Sequence, residues 1–164
     1  MRDIKKFTVV ILFVSLSVIG SLLKLPTGLG SVALDSAPAL VAAALFGRNN
    51  GALVAAVGHL SAAFFAGFPL GVFHLLVAIE MGLLVYGFGW LFQHHWKKAA
   101  YIFFFIGNAF LAPLPFIFFM GSAFVMALFP SLIMGTMANV LVSFAVIPSL
   151  VKLPMIDSRK MPHA

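Results

Sequence analysis

The sequence predicts an all-α integral membrane protein, a bundle of six transmembrane helices with a ligand pocket facing outward. Three observations carry this. First, 63% of the 164 residues are hydrophobic and 9% are charged, whereas charged residues make up about a quarter of a soluble domain. Second, apolar runs recur at about the length of a helical span, roughly 20 residues, while the alternating short strands of a membrane barrel are missing. Third, the basic residues fall almost entirely on one side of the alternating loops. The whole chain, 1–164, reads as one domain without internal repeats.

The helices follow in order. The first covers 7–23 and ends at Lys24 and Pro26, because proline disfavours helix in the residue before it. Its basic start and apolar run read as a retained helix, since Ser21-Leu-Leu-Lys-Leu-Pro26 is a poor cleavage site for a signal peptide. A Gly-rich loop occupies 25–34. The second helix, 36–46, is short, with Asp35 or Ser36 at the N-cap and Pro38 in the first turn. The polar turn Gly47-Arg-Asn-Asn50 leads to a third helix, 51–66. Gly67-Phe-Pro-Leu-Gly71 is a tight turn before the fourth, 72–92. Gln93 to Lys98 is a polar break. The fifth helix, 99–119, must bend or end at Pro113 and Pro115. The sixth, 123–151, starts or kinks near Pro130, and the pattern does not place its junction with the fifth. A polar tail begins at Lys152.

Six spans put both termini on one side. Arg2, Lys5, Lys6, Arg48, Lys97, Lys98, Lys152, Arg159 and Lys160 then share the terminus side, and only Lys24 lies opposite. The positive-inside rule makes that side cytoplasmic, and it accounts for the net charge of +6 without nucleic acid as a partner. The 25–34 loop, the 67–71 turn and the 113–129 region then face outside. The second and third helices are short for the bilayer core. Irregular backbone at membrane depth is tolerated only when it is buried or lines a cavity. A pocket is therefore expected on the outer side, under the 25–34 loop.

Ionisable groups inside a membrane are costly and usually functional. Glu80 lies roughly 13 Å and His59 roughly 10 Å from the outer face at 1.5 Å per residue, so they share a layer. They either bond helix to helix or meet a ligand. His74 is about 120° around its helix from Glu80 and lies nearer the outer surface. Asp35 is an N-cap, a ligand group, or both. Asn108 and Asn139 lie near mid-depth, where such side chains join helices or contact ligand. Phe64, Phe65 and Phe68 stand where an aromatic ligand would stack. Thr27 and Ser31 add hydroxyls in the Gly-rich loop.

Several chemistries have no support. There is no cysteine, so thiol catalysis and thiolate metal sites are out. No phosphate-binding loop with lysine is present. His59, His74 and Glu80 have no specific metal-ligand spacing, and neither metal nor cofactor is expected. A small membrane enzyme acting on a lipid or isoprenoid through Glu80 or His59 stays open as the rival class.

The run Gly30-Ser-Val-Ala-Leu-Asp-Ser-Ala-Pro38 is followed by Leu45-Phe-Gly47, Gly51-Ala-Leu-Val54, Gly58-His-Leu60 and Gly67-Phe-Pro-Leu-Gly71 with His74. Together with size and span number, this pattern resembles the substrate-binding S components of energy-coupling factor (ECF) transporters, which are vitamin-uptake ABC importers. It is most similar to the branch assigned to α-ribazole, the nucleoside precursor of the cobalamin lower ligand. Another vitamin such as riboflavin or cobalamin is the alternative cargo. The resemblance implies capture outside the cell membrane, docking on a transmembrane coupling subunit, and a cycle driven by two cytoplasmic ATPase subunits. Thr27, Ser31, Asp35, His59, Phe68, His74, Glu80 and Asn108 are the candidate ligand residues, and their outer clustering would set Asp35 and Ser31 on the ribose hydroxyls of α-ribazole. The family's Ala-x-x-x-Ala docking patch has its nearest match in Ser17, Gly20 and Ser21. The start Met1-Arg2-Asp3 lacks the N-terminal histidine of the nickel and cobalt members, which argues against a metal cargo.

Overall fold

A short helix buried on every side sets the arrangement. In the computed structural model, which describes residues 2–23, 25–27 and 30–152, α2 (Ala37–Phe46) has every residue from Ala39 to Leu45 buried. A helix apolar all round belongs in a core, and its five alanines let neighbours approach closely. Around it stand α1 (Arg2–Leu22), α3 (Arg48–Phe65), α4 (Phe73–Gln93) and α7 (Ser122–Val151). Gly51 of α3 lies against the backbone and Cβ of Ala43 on α2, leaving no room for a side chain there. The core is completed by Val54, Met81, Val85, Phe88, Phe104 and Ile147.

Outside this core the surface is apolar. Ile11, Leu12, Leu16 and Ile19 on α1, Ile79 and Leu83 on α4, and Met137, Leu141 and Phe144 on α7 are all exposed. Exposed apolar faces of this extent need an apolar surrounding. Three stretches are long and apolar enough to cross a membrane: Phe73–Gln93, Lys97–Met120 and Ser122–Val151. Two shorter apolar helices, Phe7–Leu22 and Ala37–Phe46, accompany them. The chain is thus an all-α, multi-pass membrane protein. Length and composition support fewer full spans than the six expected, because α2 is only 10 residues long and α3 opens with Arg48, Asn49 and Asn50.

The stretch expected as an irregular loop contains a small antiparallel hairpin, β1 (Leu25–Thr27) with β2 (Gly30–Val32), pairing Leu25 with Val32. After β2 the chain runs along α1, where the Leu34 N–H donates to the Gly20 carbonyl at 3.0 Å. It then enters α2 well inside the bundle. The helix start is not capped by Asp35 or Ser36 as the sequence suggested. Ser36 has a helical backbone, φ −90° and ψ −22°, and makes no side-chain cap bond. An N-cap side chain reaches back onto the helix from extended backbone. The Ser36 hydroxyl instead donates to Asp35 Oδ1 at 3.2 Å.

The cap comes from another helix. Asn139 of α7 accepts the N–H groups of Ser36 at 3.0 Å and Ala37 at 2.7 Å on its Oδ1. Its Nδ2 donates to the Ala33 carbonyl at 2.8 Å and the Gly135 carbonyl at 2.9 Å. All four hydrogen-bonding positions of the amide are used. Asn139 lies roughly 26 Å along α7 from Ser122 at the helical rise, so α2 begins deep in the bundle and not at its end.

The remaining junctions also differ from expectation. α3 closes in a Schellman motif: the Gly67 N–H donates to the Phe64 carbonyl and the Phe68 N–H to the Ala63 carbonyl, with Gly67 left-handed at φ 78°. α5 (Lys97–Ile106) passes into a π turn at Gly107–Leu111, then turns at 112–115, then α6 (Phe116–Met120). The break thus begins six residues before Pro113, earlier than the prolines alone require. α7 starts at Ser122, which places the unassigned 113–129 region, and it carries Pro130 and Pro148 inside one helix.

Asn139→Ala removes four hydrogen bonds and uncaps α2. Interhelical bonds in membranes average about 0.6 kcal/mol each, so the loss is about 2 kcal/mol, read as a lowered midpoint of thermal or detergent unfolding. Asn108→Ala, with one interhelical bond, lowers it by less. An unchanged midpoint for Asn139→Ala refutes the assignment.

Candidate functional site

A cavity of about 210 Å³ opens between α3, α4, the π turn, α6 and α7. Leu70, Val77, Phe116 and Leu132 give it apolar walls, and His59, Glu80 and Asn108 are its polar groups. The interrupted rod from α5 to α6 makes the space. In the π turn the Ala112 N–H reaches back five residues to the Gly107 carbonyl at 2.8 Å. Such a turn admits one extra residue into the helix and marks functional sites often. Pro113 and Pro115 have no N–H to continue the ladder, so the rod is interrupted there, while α6 stays against α4 through Phe116 and Phe119 on Phe73.

The polar groups differ in how they are held. Asn108 donates from Nδ2 to Thr136 Oγ1 on α7 at 2.7 Å, which fixes its amide across the cavity wall. Glu80 has no such support: its Oε2 is buried and without a hydrogen-bond partner. His59 bonds through Nε2 to Nδ1 of His74 at 3.1 Å. The Leu70 backbone N–H donates to Nε2 of His74 at 3.3 Å.

This chain of bonds assigns the tautomers. A backbone N–H can only donate, so His74 Nε2 is bare and its proton sits on Nδ1. His74 Nδ1–H then donates to His59 Nε2, and the His59 proton sits on Nδ1. His74 is buried, with 7% of its surface exposed, and the ring of Phe68 meets it edge-on at 5.8 Å. Phe68 itself has φ 49°, an uncommon backbone for a bulky residue, held by its N–H bond to Ala63.

Of the residues expected at a ligand, His59, Glu80 and Asn108 are brought together around the cavity. His74 stands behind His59, and Phe68 covers His74. Neither lines the cavity. Asp35 is likewise not among the lining residues; it lies between β2 and α2 beside the Asn139 cap. The side chains of Thr27 and Ser31 lie outside the described residues. The cavity sits beside α4 and the 66–72 turn, and no described residue of the 25–34 stretch is among those lining it.

The expected docking patch is also used internally. Ser17 is 1% exposed, and a Cβ on Gly58 of α3 would lie 2.9 Å from its Cβ. Gly20 presses on the Leu34 carbonyl. The half-buried Ser21 hydroxyl donates to the Val18 carbonyl at 2.7 Å. This face of α1 packs inward and is not presented to a partner.

Sequence reasoning missed Thr136, the Leu70 N–H and the apolar walls Val77, Phe116 and Leu132. A signal existed for one of them. Thr136, Asn139 and Ser143 recur at helical spacing and are all buried, a polar stripe on the inward face of α7. Among the described residues no group of three His, Asp or Glu side chains is placed to hold a metal ion. Comparison with protein-family models, with curated proteins and with solved structures gives no match.

Nitrogen-15 spectra of histidine-labelled protein should show both His59 and His74 protonated at Nδ1. Protonation of His59 at Nε2 in the ligand-free protein would contradict the bond order from Leu70 through His74.

Proposed function

We propose that this chain is the substrate-capturing S component of an ECF-type ABC importer, taking up a vitamin or vitamin precursor, with α-ribazole as the best candidate. The observation that carries the reading is the cavity: apolar walls with His59, Glu80 and Asn108 as a few fixed polar groups. Small-molecule sites are built this way. The run from Gly30 to Pro38 and the turn Gly67–Gly71 with His74 resemble that family, as set out above.

Orientation supports the same reading. With the basic loops cytoplasmic, the 66–72 turn and the 112–121 region face outside, and the cavity lies directly beneath them. Both termini are then in the cytoplasm, with the second of six passes made by the half-length α2 together with the segment that precedes it. ATP is hydrolysed by two partner subunits, and a transmembrane coupling subunit links them to this chain. Docking falls on a surface other than that of Ser17 and Gly20, which are packed inside, with Ser21 half-buried beside them.

The cavity suits the benzimidazole end of α-ribazole. A dry cavity of roughly 150 Å³ takes a benzene ring, so about 210 Å³ takes a bicyclic ring while the ribose points toward the mouth. Phe116 supplies an aromatic wall, and His59 Nδ1–H and Glu80 supply polar contacts.

Isothermal titration of the purified chain with α-ribazole should show one site. Leu132→Trp, which fills the cavity, should abolish binding without lowering the unfolding midpoint. Absence of α-ribazole binding removes that ligand, and unimpaired binding by Leu132→Trp removes the cavity as its site.

A further inference from the structure

The three polar groups at this cavity all have hydrogen-bonding capacity that the described residues do not use. Glu80 Oε2 is buried and unpartnered. Among the described residues the ring of His59 bonds only through Nε2, which leaves its Nδ1–H free. Asn108 spends one Nδ2–H on Thr136, and its second N–H and its Oδ1 have no partner among the described residues. The groups facing Glu80 are His59 from α3 and Asn108 from the π turn. The turn before α4, α6 and α7 contribute Leu70, Phe116 and Leu132, and among the described residues no Lys or Arg lines the space.

This inventory restricts the ligand by charge. A half-buried carboxylate with one oxygen out of water and no cation beside it is costly. An acid or phosphate ester would add a second negative charge to the same apolar space, and like charges brought together repel. A weakly basic ring nitrogen resolves the problem. One proton shared between the Glu80 carboxyl and that nitrogen leaves the pair with no net charge, whichever atom holds it. His59 Nδ1–H then needs an acceptor, such as an oxygen beside the ring.

We infer that the cavity takes an uncharged, weakly basic N-heteroaromatic molecule and rejects acids, with Glu80 as the specificity-determining group and His74 as the positioning residue that keeps His59 a donor. This rests on reading the cavity as the ligand site of a capture subunit. His74 acts only through His59: its Nδ1–H occupies His59 Nε2, so His59 cannot turn its acceptor to the ligand.

The test uses the full chain in detergent or nanodiscs and a pair of equal shape, benzimidazole-5-carboxamide and benzimidazole-5-carboxylate. The wild-type chain should bind the carboxamide about 100-fold more tightly than the carboxylate, from the cost of like charges. Glu80→Gln, nearly isosteric, should shrink that ratio to about 10-fold or less by the same argument. His74→Phe should weaken carboxamide binding about 10-fold, as loss of one oriented hydrogen bond implies, and should let the His59 proton move to Nε2 in nitrogen-15 spectra. His74→Gln can accept from Leu70 and donate to His59, so it should restore both.

Equal binding of the two probes, preference for the carboxylate, or no carboxamide binding up to millimolar concentration overturns the inference. Mass spectrometry of co-purified small molecules separates the two readings. An acid or phosphate ester seated in the cavity overturns the charge selection and leaves the capture subunit standing. A chain that holds no small molecule of any charge overturns both.

Discussion

The fold depends on one side-chain amide placed where a helix begins inside the bundle. The first N–H groups of any helix have no partner within it, and in a membrane interior no water is at hand to supply one. α2 starts at such a depth. Asn139 meets the need from α7, and its other half ties down the Ala33 carbonyl just before the helix. A single residue therefore joins α7, α2 and the segment after the hairpin. Without it α2 would have to begin at the membrane surface, and ten residues are too few to cross from there.

The half-length helix has a consequence for everything around it. Because α2 fills only part of the depth, its neighbours α1, α3, α4 and α7 pack on small residues there and must diverge or break elsewhere. Alanines on α2 and Gly51 on α3 permit the close approach. On the other flank the rod from Lys97 to Met120 is interrupted by a π turn and two prolines. The cavity occupies the space that this interruption leaves, so close packing at α2 and open space beside α4 belong to one arrangement.

Much of this was legible in the sequence, and the misses have physical causes. Composition and apolar run length gave the all-α, multi-pass class, and the breaks at Gly47, Gly67–Gly71 and Gln93–Lys98 were read from their polar and turn residues. The short second helix was also visible. Its cap was not, because Asp35 and Ser36 offer a local solution and the actual one comes from a residue about a hundred positions away. The hairpin at 25–32 escaped because Gly and Pro signal a turn without saying whether the flanks pair. The π turn starts at Gly107, ahead of the prolines that drew attention. His59 and Glu80 were placed in one layer by counting the helical rise, and both do line one cavity. The same counting could not pair His59 with His74, since that contact depends on how tightly the 66–72 turn folds back.

The histidine pair shows why that turn matters to the chemistry. An isolated neutral histidine interconverts its two tautomers, and so offers a ligand either a donor or an acceptor at a given position. Here the Schellman close of α3 and the tight return into α4 bring the Leu70 N–H onto His74, and a backbone N–H has only one role. That fixed polarity passes through His74 to His59. The cavity wall thereby has a donor whose sense is set by backbone geometry. On the same cavity stands Glu80, whose Oε2 has no partner among the described residues. One group has its polarity set by the fold, and the other keeps a buried oxygen that the described residues leave unpaired.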